Sequence, residues 1–180
     1  MCSFPLPLVD ECLDTLPGNV WYSKLDANLA YWQVKIKPED CSKTAFITKY
    51  GLFEFARMVF GLCNSPATYA RVINLVLRGL NWKVLLAFLD DILVLGRDFE
   101  GHLAILRAVL GRFREYGLKL KPKKCELFQE EVEFRGRVVG PRGMHIGPGY
   151  VKDIEDWPRP KNKKEVEMFL GFTNYHRAFI

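Results

Sequence analysis

Between Val20 and Ala27 (VWYSKLDA) apolar and polar residues alternate with the two-residue period of a half-buried strand, with Asp26 near its end. AYWQVKIKP then reads as a turn or short helix leading into another strand, and PEDCSK as a polar loop. TAFITKYGLFEFARMVF, β-branched and aromatic on both arms, predicts a hairpin turning at Tyr50-Gly51. NSPATYARVINLVLRGL changes to a helical period, in which Asn64 or Ser65 can cap, Pro66 suits the first turn and Gly79 the exit. Strands over 82–89 and 92–96 flank Asp90-Asp91. A second helix is expected over 98–116, with Asp98 as cap, Leu103, Leu106, Leu110, Phe113 and Tyr116 as its apolar stripe, and Gly117 as its end. Short strands follow at 118–121, 125–129 and 131–139. GPRGMHIGPGY (140–150) is rich in turn formers and reads as a boundary, and a last helix starts near Asn162, where Asn162 and Glu165 have the capping-box spacing. Ahead of all this, FPLPLVDECLDTLPG predicts an extended start and an amphipathic helix from about 7 to 16.

Strand, hairpin, helix, hairpin, helix, strands is the order of an α+β fold with an antiparallel sheet rather than a doubly wound parallel one. Two helices would cover one face and leave the other open as a platform. Composition agrees with a folded chain, 49% apolar and 26% charged. No apolar stretch approaches the roughly 18–20 residues of a membrane span, and the start lacks the basic-then-apolar order of a signal peptide. The five cysteines are scattered and never paired as CxxC, which points to reduced thiols in a cytoplasmic or nuclear setting and away from zinc. The net charge of +5 is concentrated in RFREYGLKLKPKK (112–124), with six basic residues and one acid. Such a tract attracts a polyanion, or is simply a solvated helix end and loop.

LLAFLDDILVLG (85–96) places two adjacent acids inside an apolar run. Buried carboxylates are costly without a cation or hydrogen bonds to meet them. Asp-Asp in a turn has an ordinary explanation, since Asp tolerates turn backbone. The flanking core strands argue for more. If the strand ending at Asp26 neighbours this hairpin, three carboxylates meet at one rim. Mg²⁺ suits such a site, because it takes a few carboxylate oxygens together with substrate phosphates. Two ions about 4 Å apart can activate an attacking oxygen and stabilise a leaving one.

FLDDILV resembles the catalytic hairpin of reverse transcriptases. With KLD, KTAF, YGLFEF, FGLCNSPATY, KCELF and the closing LGFTNYHRAFI, the whole chain resembles the gypsy-type long-terminal-repeat retrotransposons. The resemblance implies a polymerase palm with partial fingers over residues 1–140, and over 141–180 a connection and the first thumb helix. It implies an RNA-directed DNA polymerase using two Mg²⁺ ions, with Mn²⁺ as an alternative, on deoxynucleoside triphosphates and an RNA or DNA template with primer. The parent would be a Pol polyprotein that also carries ribonuclease H and integrase, located in cytoplasmic virus-like particles or the nucleus, with no membrane partner.

Residue by residue, the resemblance implies that Asp26 and Asp90 ligate both ions, that Asp91 is the third acid, and that the Ala27 carbonyl completes the shell. The backbone amides of Leu29 and Ala30 would hold the triphosphate. Tyr31 would lie under the sugar and exclude a ribose 2′-hydroxyl, unless it is a plain core aromatic. Phe60 would line the nucleotide pocket and Leu89 would sit against the primer terminus. Lys124 is either a proton donor to pyrophosphate or a phosphate-steering charge. Phe134, Arg135 and Gly136 fall on the primer-gripping hairpin, where Arg135 replaces an aliphatic residue, as a phosphate contact or as decay. Gly171, Asn174 and Tyr175 fall on a helix along the minor groove, with a core role as the alternative for Tyr175. Upstream finger strands and most of the thumb are missing relative to the family, so the 180 residues are expected to bind metal, to bind nucleic acid weakly and to extend primers poorly. A catalytically inactive relic that only binds nucleic acid is one alternative. A palm-like cyclase or RNA polymerase is another, but FLDD is not the Gly-Gly-acid hairpin of such cyclases, and an RNA polymerase calls for a smaller residue than Tyr31.

Overall fold

The structure, a computed structural model, describes residues 18–81, 83–134, 136–174 and 177. The helix expected near 7–16 lies outside them, as do Arg135 and Tyr175. Trp21–Asp26 forms β1, followed by a 3₁₀ turn at Ala30–Gln33 and a single helical turn, α1, at Pro38–Cys41. The segment expected as a strand after Tyr31 is not one; Lys35 makes only an isolated bridge with Arg57. Strands β2 (Phe46–Thr48) and β3 (Gly51–Phe53) form the expected hairpin, with Lys49-Tyr50 as the loop. Helix α2 spans Ser65–Val76, β4 Leu85–Phe88, β5 Asp91–Gly96 and α3 Phe99–Glu115. Then come a 3₁₀ turn at Pro122–Lys124, β6 (Glu126–Gln129), β7 (Val132–Phe134), β8 (Arg137–Gly140), β9 (Gly143–Ile146), α4 (Pro148–Glu155) and α5 (Lys163–Asn174).

The central sheet runs β4-β5-β1-β6 and every neighbouring pair is antiparallel. Strand alternation sorts its residues onto two faces. Leu25, Leu85, Ile92 and Val94 meet Tyr69, Ile73 and Val76 of α2 and Leu106, Val109 and Phe113 of α3. The opposite face, expected to be open, is covered instead. Tyr22, Leu86, Leu93 and Leu95 bury against Val132, Phe134 and Val139 of a second sheet, β7-β8-β9. Periodicity hid that sheet, because Gly136, at φ 76°, breaks the apparent 131–139 strand into two, although the resemblance placed a hairpin there. The Gly-rich 140–150 stretch is correspondingly a strand and a helix start, and β8 and β9 pair across residue 140.

Local corrections have local causes. The buried stripe of α3 is His102, Leu106, Val109 and Phe113, while Leu110 and Tyr116 are exposed, because a buried histidine rotates the stripe. Asp98 does cap α3, accepting from the Gly101 amide at 2.7 Å. Neither Asn64 nor Ser65 caps α2 with its side chain; the Ser65 hydroxyl donates to the Val59 carbonyl. Residues 118–121 contribute one bridge, Leu120 to Ala27, rather than a strand. At α5, Asn162 Oδ1 accepts the Glu165 amide at 3.0 Å, and Glu165 reaches back to the Lys161 amide and the Asn162 side chain.

Candidate active site

The β1–β5 register runs from Trp21 opposite Gly96 to Asp26 opposite Asp91, so two acids distant in sequence end as direct cross-strand partners. Like charges in that relation destabilise a sheet unless something answers them. The adjoining loop is Leu89-Asp90, not Asp90-Asp91, since Asp91 already belongs to β5 and pairs with Phe88. Ala27 N–H donates to the Asp90 carbonyl at 3.1 Å, tying the loop to the end of β1. Leu89 takes φ 54° and Leu29 takes φ 49°, in the left-handed region where leucine is rare. Strained backbone of this kind gathers at functional sites.

Asp26, Ala27, Leu29, Ala30, Tyr31, Phe60, Leu89, Asp90 and Lys124 line one cleft of about 250 Å³. The structure thus brings together nine of the residues singled out in the sequence, with Asp91 behind Asp26 in the register. Asn28 and Lys121 also line it and were not singled out. Lys121 is positioned by its own amide, which donates to the Asp26 carbonyl at 2.9 Å. The 3₁₀ turn at Pro122–Lys124 then brings Lys124 Nζ within 3.3 Å of Asp26 Oδ2. The Asp26 side chain is only 12% exposed, and that of Lys124 59%.

The floor is aromatic. The Tyr31 ring lies 5.0 Å from Phe60 and 5.8 Å from Tyr69. Burial, and then the charge of Asp90, raise the Tyr31 phenol above its ordinary value. Tyr69 is pushed up much further, by burial first and then by the charges of Asp90 and Asp26. Both carboxylates therefore project negative potential into the same pocket floor. Tyr69 is also a residue that sequence reasoning missed, because within NSPATYARV it reads as an ordinary core position.

The remaining residues lie elsewhere. Phe134 is 1% exposed and turned into the core between the sheets, so any nucleic-acid contact of its hairpin falls to the turn. A Cβ at Gly136 would meet the Tyr150 ring at 2.6 Å. Gly171 and Asn174 line a separate surface hollow on α5, and a Cβ on Gly171 would meet nothing.

Among the described residues no group of three or more His, Cys, Asp or Glu side chains is placed to hold a metal ion. The donors in the cleft are nevertheless those of a hard divalent cation: carboxylate oxygens and a backbone carbonyl, with an ammonium group already answering Asp26. The Tyr69 hydroxyl, fully buried in the field of both acids, has no hydrogen-bond partner among the described residues. An open oxygen-donor site suits an ion that keeps waters and substrate oxygens in its shell.

Residues 2–139 match the family described as reverse transcriptase (RNA-dependent DNA polymerase). The chain is 39% identical over 177 residues to the retrovirus-related Pol polyprotein from transposon 297 of Drosophila melanogaster, covering 98% of this chain and 17% of that protein. It superposes on the foamy viral protease-reverse transcriptase dRH in complex with double-stranded DNA with a TM-score of 0.91, and on the foamy viral protease-reverse transcriptase in complex with RNA/DNA hybrid with 0.86, each at 24% identity. Those matches cover 98% of this chain and 31% and 24% of the respective structures. Members of the family generally use divalent metal ions. With the acids paired at the sheet rim and the match extending over most of its length, the chain belongs to the reverse transcriptase family.

Proposed function

We propose that the cleft adds deoxynucleotides to a primer 3′-hydroxyl under the direction of an RNA or DNA template. The observation that carries this is that Asp26 and Asp90 line one cleft with Tyr31 and Lys124, with Asp91 directly opposite Asp26 in the sheet. Asp26, Asp90, Asp91 and the Ala27 carbonyl would hold two Mg²⁺ ions, with Mn²⁺ as a substitute. The bridge to residues 119–121 uses the Asp26 carbonyl and the Asn28 amide. Strand alternation therefore directs the Ala27 carbonyl toward the Asp90 side. When bound, the ions supply the positive charge that favours attack by the hydroxyl and departure of pyrophosphate.

The residues of the chain do the rest. Leu29 and Ala30 open the 3₁₀ turn, whose first amides lie outside its own hydrogen bonding and suit the triphosphate. Tyr31, held against Phe60 and Tyr69, forms a rigid floor for the sugar and leaves no room for a 2′-hydroxyl. Leu89 offers an apolar surface to the primer terminus. Lys124 stands beside Asp26, where it can steer phosphates or give a proton to the leaving group. Base choice comes from template pairing, so the protein needs shape and backbone contacts rather than base readout. The structural neighbours bound to RNA/DNA hybrid and double-stranded DNA support nucleic-acid partners for this chain.

The chain spans about a sixth of the transposon 297 relative. We place it in a Pol polyprotein with ribonuclease H and integrase, acting in a cytoplasmic particle or the nucleus. The test is single-turnover addition of one nucleotide on an RNA template with Mg²⁺, with the protein in excess so that weak template binding does not limit the reaction. Addition by the wild type and loss of it in Asp90→Asn supports the proposal. Equal behaviour of the two contradicts it.

A further inference from the structure

Gln33 has no assigned part in the site, yet its carboxamide makes three hydrogen bonds, one to Asn28 on its own segment and two to the distant Lys119. Nε2 donates to the Asn28 carbonyl at 2.6 Å and to the Lys119 carbonyl at 2.9 Å, and Oε1 accepts the Lys119 amide at 2.6 Å. The backbone amide of Lys119 needs an acceptor and the two carbonyls need donors, which fixes the orientation of the side chain. The three bonds span sequence separations of 5 and 86 residues.

What they join matters. Asn28 N–H also donates to the Lys119 carbonyl at 2.9 Å, Ala27 bridges Leu120, and Lys121 N–H donates to the Asp26 carbonyl at 2.9 Å. Residues 26–28 are therefore zipped to 119–121, and Gln33 closes the far end of that zipper from the last position of the 3₁₀ turn. One side carries Asp26, Leu29, Ala30 and Tyr31. The other leads within a few residues to Lys121 and Lys124. Among the described residues two backbone hydrogen bonds join 26–28 to 119–121, and Gln33 adds two more, both to Lys119.

We propose that Gln33 is a positioning residue that sets the distance between the acid and tyrosine wall and the lysine wall of the nucleotide cleft. It touches neither the nucleotide nor an ion; it acts through the backbone of Asn28 and Lys119. This rests on the nucleotidyl-transfer reading of the cleft. Losing the clamp lets the lysines drift from the triphosphate, so the defect belongs to nucleotide binding rather than to template binding.

The experiment uses Gln33→Met, which keeps side-chain length and packing but removes all three bonds, and Gln33→Glu, which sets a carboxylate against two carbonyls. Hydrogen exchange would show the amides of Asn28 and Lys119 losing protection in Gln33→Met while the β1–β5 amides keep theirs; in Gln33→Glu the carboxylate still accepts the Lys119 amide, and the Asn28 amide alone loses protection. In single-turnover addition, the nucleotide concentration for half-maximal rate would rise about tenfold, with primer–template affinity changed less than twofold. Unchanged protection and unchanged nucleotide dependence in folded variants overturn the proposal. So does a variant that loses β1–β5 protection together with the clamp, since Gln33 would then be a general stability residue. A wild type that adds no nucleotide removes the polymerase reading instead, and the exchange arm still decides whether Gln33 clamps the two walls.

Discussion

The proposed chemistry rests on single residues, of which Asp90 is exposed while Asp26 and Tyr31 sit against the core. Asp90 is exposed at the loop, so Asp90→Asn should fold normally, with an unchanged melting temperature, and lose at least about a thousandfold in nucleotide addition. Tyr31 is held from below by Tyr69 and from the side by Phe60. Tyr31→Ala removes the ring but not its supports, and the ratio of deoxyribonucleotide to ribonucleotide incorporation should fall by about ten- to a hundredfold. An unchanged ratio would remove Tyr31 as the sugar filter. The acids were visible because carboxylates inside an apolar run are conspicuous, whereas Tyr31 came only from the resemblance to the family. Gln33, Lys121 and Tyr69 were not visible. A glutamine bonding to backbone 86 residues away has no local signature, and a tyrosine at a helical core position looks like packing.

At the scale of elements, the sheet and α3 are joined by a buried polar pair that has no part in the cleft. Ser23 and His102 are both fully buried, with Oγ and Nε2 2.7 Å apart. Ser23 Oγ also accepts the Phe128 amide at 3.0 Å, so the one hydroxyl ties His102 to the β6 backbone. Burial lowers the His102 pKa, opposed in part by the backbone of Leu95. A histidine depressed in the folded state contributes stability that is fully present above its unfolded value, about 6.5, and is lost as pH falls through the folded value. Thermal melts should therefore be flat from about pH 8 to 7 and decline between pH 6.5 and 5. Asp40, held low by Lys43, titrates below that window and does not obscure it. Ser23→Ala strands both the Phe128 amide and His102 Nε2, and should cost about 1–3 kcal/mol in denaturant unfolding. Gly96 faces the same ring so closely that any Cβ would collide with the His102 Cβ, and Gly96→Ala should destabilise by a similar amount. The periodicity of β1, β5 and α3 was legible as elements. The rotation of the α3 stripe toward His102 was not, because a histidine scores as polar until a partner is found for it.

Across the whole molecule, the sequence order implied the antiparallel sheet and its two helices, and the paired acids followed from adjacency of β1 and β5. What escaped the periodicity was the second sheet. Its strands are three or four residues long, separated by glycines at positive φ, and too short to show a period of two. Its presence turns an expected open platform into a second core. In the proposed reaction Asp26 and Asp90 act on one ion together, although they lie 64 positions apart in the chain. Manganese binding followed by electron paramagnetic resonance tests this most directly. Mn²⁺ should bind the wild type, and Asp26→Asn and Asp90→Asn should each weaken it strongly while the protein stays folded. Retention of full affinity in either variant would contradict a shared site.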